Sequence, residues 1–227
     1  MKKLIALMLA FGVTAGIAHA QTQVLSQNAV GYVKQEIEEG KLYLVTNPFL
    51  NLDSPSGEHL LVEMLDAVPN NTIVSIWDNA AQTYINYARG ARGAWLGDAP
   101  TATLEPGEAF FLRIPEGTGS ADLFLMGEVP SDDEVNQGRV PGLTFLGFPY
   151  PAQVMFTNTS MAINVPNNTI VSIWDAVNST YINYAKGARG AWLGDAPTAV
   201  IQPGQAFIVR SSEAGNDWDE VKPYTWP

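Results

Sequence analysis

The segment "NYARGARGAWLGDAP" gathers side chains able to hold a ligand: Tyr87, Arg89, Arg92, Trp95 and Asp98. The pattern returns further along the chain as Tyr184, Lys186, Arg189, Trp192 and Asp195. Aromatic rings beside carboxylate, amide and guanidinium groups are the mixture found on carbohydrate-binding surfaces. A ring stacks on the apolar face of a pyranose, and the polar groups fix its orientation by bonding the hydroxyls. Two weak sites on one chain also raise the apparent affinity for a polymer. A structural role fits the same residues: Trp95 can plug the underside of a Gly-rich loop, with Arg92 paired to Asp98 or stacked on a ring.

Other chemistries find less material. His59 is the one histidine beyond the first twenty residues, and neither Ser75 nor Ser172 sits in a G-x-S-x-G elbow, so a Ser-His-Asp apparatus is close to excluded. Asp78 with Asp98, and their copies Asp175 with Asp195, are the carboxylate pairs a glycoside hydrolase would need. The acidic runs "SDDEVN" (131–136) and "NDWDE" (216–220) offer oxygen ligands but lack the spacing of an EF-hand, so they read as solvated loops. No catalytic residue, metal ligand or cofactor is assigned.

These residues sit in a duplicated frame. Pro69 to Arg113 aligns without a gap on Pro166 to Arg210, with 34 of 45 positions identical. Within the repeat, "TIVSIWD" and "TYINYA" are dense in β-branched and aromatic residues and flank four turn residues, which predicts a hairpin. The turn residues are "NAAQ" in one copy and "AVNS" in the other, as an exposed tip allows. Pro-Gly at 106–107 and 203–204 marks a second turn before an apolar strand. Alternation puts Trp77 with Ile73 and Ser75 on one face of its strand and Val74 with Ile76 on the other, and Trp77 and Trp174 are expected as core rings. Only residues 58–67 have helical spacing, with a weaker counterpart near 155–162.

The expected fold class is all-β: two tandem units of about 97 residues, 21–125 and 126–227, forming a pseudo-twofold sandwich or barrel with at most one short helix per unit. The segment "ADLFLMGEV" (121–129) has no evident equal at the C-terminus, where Pro223 limits "WDEVKPYTW" to an edge. The N-terminal "VLSQNAVGYV" (24–33) is expected to fill that vacancy, either within one chain or in a neighbour as donor-strand exchange does.

Lys2 and Lys3, the apolar stretch Leu4 to Ile17 and the small residues around Ala20 have the form of a secretory signal peptide (1–20) cleaved after Ala20. Export to the periplasm or beyond is therefore expected. With the leader removed, ten basic residues face 23 acidic ones, a net charge of −13. That charge disfavours nucleic acid and anionic lipid surfaces. Cysteine is absent, so stability must come from packing. No stretch reaches the roughly 20 apolar residues of a membrane-spanning helix.

"VLSQNAVGYV" after such a leader, followed by "GKLYLVTNPF", "TIVSIWD" and "PGEAFFLR", resembles a set of uncharacterised secreted bacterial β-proteins with an N-terminal N-x-V-G-Y strand and a later P-G-x-x-F-F strand. The resemblance implies a secreted β-fold and carries over no site residue. Together these features lead to the expectation of a secreted, non-enzymatic structural or adhesive protein of the cell envelope or matrix. A carbohydrate-binding module with two equivalent aromatic sites is the alternative, and a polysaccharide hydrolase the third. The expected partners are polysaccharide or further copies of the chain engaged through the N-terminal strand.

Overall fold

The computed structural model describes residues 29–137, 141–211 and 217–225. The proposed leader lies outside them. The first half of the chain forms β1 (Val30–Ile37), β2 (Leu42–Thr46), β3 (His59–Leu60), α1 (Leu61–Met64), β4 (Ile73–Asp78), β5 (Thr83–Ala88), β6 (Thr103–Leu104), β7 (Ala109–Arg113) and β8 (Ala121–Glu128). The second forms β9 (Glu134–Gln137), β10 (Gly142–Gly147), β11 (Val154–Met155), α2 (Ser160–Asn164), β12 (Ile170–Asp175), β13 (Thr180–Ala185), β14 (Val200–Ile201), β15 (Ala206–Ser211) and β16 (Trp218–Val221). The fold is all-β with one short α-helix in each half. One four-stranded antiparallel sheet runs β2-β7-β4-β5, the other β10-β15-β12-β13, and the three small pairs β1-β8, β3-β6 and β11-β14 are joined by β9-β16. Every strand of the first half thus has a counterpart eight strands later.

Alternation along each strand divides the interior into three layers. Val74, Ile76, Phe110 and Leu112 point to one side of the first sheet and close a core with α1 and Leu123 and Leu125 of the β1-β8 ribbon. Val171, Ile173, Phe207 and Val209 do the same in the second half, with Phe156, Met161 and Trp218. The opposite faces meet each other. Leu44, Ala109 and Phe111 pack on Phe145, Ala206 and Ile208, flanked by Trp77 and Trp174. Those two rings are only half-buried, because alternation turns them away from the core of their own half and into the seam.

Reciprocal contacts fix the seam. The Trp77 indole N–H donates to the Leu143 carbonyl (3.2 Å), and the Trp174 N–H donates to the Leu42 carbonyl (2.6 Å). Thr46 N–H donates to the Gly204 carbonyl (3.1 Å), and Gly147 N–H to that of Gly107 (2.8 Å), so each Pro-Gly turn holds the first sheet strand of the other half. Thr46 and Gly147 are mates under this pseudo-twofold and lie face to face. A Cβ on Gly147 would run into the Thr46 side chain.

Three expectations are corrected here. β8 crosses the 125/126 division and pairs along its length with β1, from Val30↔Glu128 to Ile37↔Ala121, so the division falls in the loop between β8 and β9. The C-terminal segment is an edge strand, as Pro223 leads one to expect, in a two-stranded ribbon. β16 pairs with β9, buries Trp218 and Glu220 on its inner face, and ends before Pro223, so the proline interrupts no ladder bond. Residues 24–28 of the expected N-terminal strand lie outside the described residues, and from Val30 on its partner is β8, not the C-terminal segment. The hairpin tip is also only partly free: Ala80, Ala81 and Val177 are exposed, but Asn79 accepts the Phe145 N–H (2.9 Å) and Gln82 both accepts from and donates to the Leu143 backbone (2.9 and 2.8 Å).

One seam turn differs in charge between the halves. Glu108 accepts the Glu105 N–H (3.0 Å) where Gln205 accepts that of Gln202 (3.0 Å). Burial pushes the Glu108 carboxyl up to about 7, and Glu105, Glu58 and Asp78 add to the shift against the opposing backbone hydrogen bond. Since the folded-state value lies above the ordinary 4.5, the folded chain retains a proton that the unfolded chain has released, and stability falls as pH rises between these values. Glu108→Gln should therefore stabilise the protein by roughly 1–3 kcal/mol at about pH 8 and have little effect near pH 4, read from denaturant midpoints. Gly147→Ala should cost roughly 1–3 kcal/mol in the same assay. Adding Thr46→Gly should recover much of that loss.

Candidate functional site

The Gly-rich loop follows β5 directly and folds back on it: Leu96 N–H donates to the Ala88 carbonyl (3.0 Å) and Gly90 N–H to that of Ala94 (2.7 Å). Arg89 is thereby turned inward. Its Nη1 donates to the Asp66 and Val68 carbonyls (2.6 Å each) and its Nε to Gly93 (3.1 Å), fastening the segment after α1 to the loop. Lys186 does the same in the second half. It is buried, and its ammonium donates to the carbonyls of Ala162 (3.1 Å), Ile163 (2.8 Å) and Val165 (2.8 Å), which uses all three of its protons at the end of α2. Burial pushes its pKa down.

The rings are placed to match. Tyr184 is buried, and Trp192 lies edge-on to Phe156 (4.6 Å) with its N–H on the Ala162 carbonyl (3.0 Å). Tyr87 and Trp95 pack, half-buried, against the first core. Arg92, Arg189, Asp98 and Asp195 are exposed, and the two aspartates begin short 3₁₀ turns. The ten residues expected to form two sugar sites are thus divided: Tyr184 and Lys186 are buried, Trp192 packs half-buried on the second core, Arg89 is a backbone tie, and Arg92, Arg189, Asp98 and Asp195 are exposed. Arg89 and Trp95 come together at a depression, with Glu63 and Asp66.

Sequence reasoning missed a different pair of sites. Where the facing sheets diverge, each leaves part of its inner face open. On the second sheet, Ile170, Ser172, Asn183, Ile208 and Arg210 floor a groove of about 440 Å³ walled by Leu143, Phe145, Tyr84 and Tyr181. On the first sheet, Ile73, Ser75, Phe111 and Arg113 floor one of about 450 Å³ walled by Leu42, Trp174, Gly40 and Ser179. Isoleucine, serine, arginine and leucine occupy corresponding positions in both. Each serine hydroxyl donates to the asparagine across the strand pair, Ser75 to Asn86 and Ser172 to Asn183, at 2.6 Å. These are directly opposed pairs, in which side chains approach closely. The signal available in the sequence was alternation: Ile73, Ser75 and Trp77 share a face, and the polar serine marks where that face leaves the seam.

Each groove offers an aromatic wall, an oriented hydroxyl–amide pair and an exposed guanidinium. Such a surface can stack a ring, bond hydroxyls and meet a carboxylate. Among the described residues no carboxylate lines either groove. Asp78 and Asp175 instead accept N–H groups of their own hairpin tips (2.9 to 3.1 Å). A third groove, of about 460 Å³, lies by α1 and includes His59, whose Nε2 is bonded to the Phe49 carbonyl (3.0 Å) and whose pKa burial lowers. Among the described residues no group of His, Cys, Asp and Glu could hold a metal ion, and no helix is long and apolar enough to cross a membrane. Comparison with the models of known protein families, with curated proteins and with solved structures finds no match.

Lys186→Met should cost roughly 2–4 kcal/mol, since it removes the ammonium donor from the Ile163 and Val165 carbonyls and leaves that of Ala162 with the Trp192 N–H alone. Arg92→Ala and Arg189→Ala, on exposed side chains, should each stay within about 0.5 kcal/mol. Thermal and denaturant melts of the three variants check this. A reversed ranking would overturn the structural role assigned to Lys186.

Proposed function

We propose that the protein is a secreted, non-enzymatic adhesive protein of the bacterial cell envelope or extracellular matrix, and that it holds polysaccharide in the two seam grooves. The observation that carries this reading is the recurrence of one set of groups, Ile73, Ser75, Asn86 and Arg113 in one place and Ile170, Ser172, Asn183 and Arg210 in the other, on two open grooves of one molecule. Two equivalent sites favour a repeating ligand, because the second engagement is intramolecular. That no carboxylate lines either groove among the described residues favours binding over cleavage. The leader-like N-terminus supports export. A purely structural role is the second reading, favoured by the way the Gly-rich loops devote Arg89 and Lys186 to backbone carbonyls.

Sedimentation with insoluble neutral and uronate-bearing polysaccharides tests the reading. The wild type should be retained best on an acidic glycan. Arg113→Ala or Arg210→Ala alone should weaken retention about tenfold or more through lost bivalency, and the double variant should abolish it with the melting temperature unchanged. No retention on any glycan would leave the structural role standing alone, and release of reducing sugar would replace adhesion with hydrolysis.

A further inference from the structure

β5 and β13 are the outermost strands of their sheets on one side, and among the described residues no strand lies beyond either. Their free sides can be identified from the hydrogen bonds. Leu96 N–H bonds the Ala88 carbonyl and Leu193 N–H bonds that of Ala185 (3.0 Å each), both from the side away from β4 and β12. Backbone groups point the same way at every second residue, so those of Tyr84 and Asn86, and of Tyr181 and Asn183, face outward. Proteins usually blunt such edges with lysine, proline or a bulge. "TYINYA" contains no charge and no proline, and both strands pair without a bulge to their neighbours. Tyr84, Ile85, Tyr181 and Ile182 are each at least 40% exposed.

We propose that β5 and β13 are assembly edges, and that the strand each receives is the β5 or β13 edge of another copy of this chain. The occupant follows from the duplication: the two edges have the same six residues, so an edge that accepts one accepts the other. Antiparallel pairing centred on isoleucine sets Ile85 opposite Ile85 or Ile182 of the second copy and lets Tyr84 and Asn86 exchange both N–H···O=C bonds with their opposites. The four-stranded sheets then continue as eight-stranded ones. With two compatible edges on each molecule, the contact does not close, and an open chain of copies grows. The mature net charge of −13 opposes this, while the joining strands themselves are neutral. Salt therefore promotes assembly, because at about 1 M the screening length falls to roughly 3 Å. Glycan binding uses inner-face side chains of these same strands, Tyr84, Tyr181 and Asn183 among them, whereas assembly uses their outward backbone groups.

Light scattering and sedimentation velocity on the mature chain, over a wide concentration range in low and high salt, test it. The wild type should grow past dimers as concentration and salt rise. Ile85→Lys or Ile182→Lys, each blocking one edge, should stop at dimers, and the double variant should stay monomeric, with circular dichroism melts confirming that each variant folds. Should a lysine variant fail to fold, a "TYINYA" peptide flanked by lysines and added in excess to the wild type should shorten the assemblies. A wild type that is monomeric or strictly dimeric under every condition, a double variant that assembles like the wild type, or assemblies indifferent to the peptide would overturn the proposal.

Discussion

The facing sheets depend on a shared apolar seam that neither half can cover alone. Leu44, Ala109 and Phe111 of the first sheet would be open to water without Phe145, Ala206 and Ile208 of the second. Hydrophobic contact of this kind is non-directional, so something else must set the angle and register. The two tryptophans do so. Each belongs to one sheet and donates its indole N–H to a carbonyl of the other, so the rings contribute apolar area and a directional tie at once. The crossed Pro-Gly turns add backbone bonds at the other end of the same contact. Groove position follows from this arrangement, because the open floors begin where the tryptophan contacts stop.

Local features were legible in the sequence to the extent that their causes are local. The hairpin of β4 and β5 follows from β-branched and aromatic runs around a short turn, and Pro106-Gly107 foretells the turn before β7. Helix α2 shows the limit. Its own residues have weak helical spacing, yet it forms because the Glu220 carboxylate, sixty residues on, accepts the N–H groups of Ser160 (2.7 Å) and Met161 (3.1 Å). Thr159 adds a side-chain cap by accepting from Ala162 (3.1 Å). The same distant cap explains why "WDEV" buries its inner face. Its acidic look on paper hides a carboxylate buried against a helix start, where the unpaired N–H groups and the helix dipole receive negative charge.

The Gly-rich loops were misleading for a related reason. A cation among glycines and aromatics looks the same in a sequence whether it faces solvent or a set of backbone carbonyls. Lys186 and Arg89 face carbonyls because the loop folds back on β5 or β13, and that return is set by bonds to Ala88 and Ala185 rather than by the cation. The grooves were illegible because their parts come from both halves. Tyr84 reaches the second sheet's groove and Trp174 the first sheet's only through the seam, and nothing in the repeat announces which faces will meet.

The crossing of Thr46 and Gly147 says something about the chain's individuality. A dimer built from two copies of the first half would bring threonine against threonine at that point, where a single Cβ on the glycine side already has no room. Two copies of the second half would bring glycine against glycine and leave a gap. The present packing needs unlike residues on the two sides of its pseudo-axis, and only a covalently joined pair can guarantee that each half always meets its complement. Despite their likeness, the halves are not interchangeable parts.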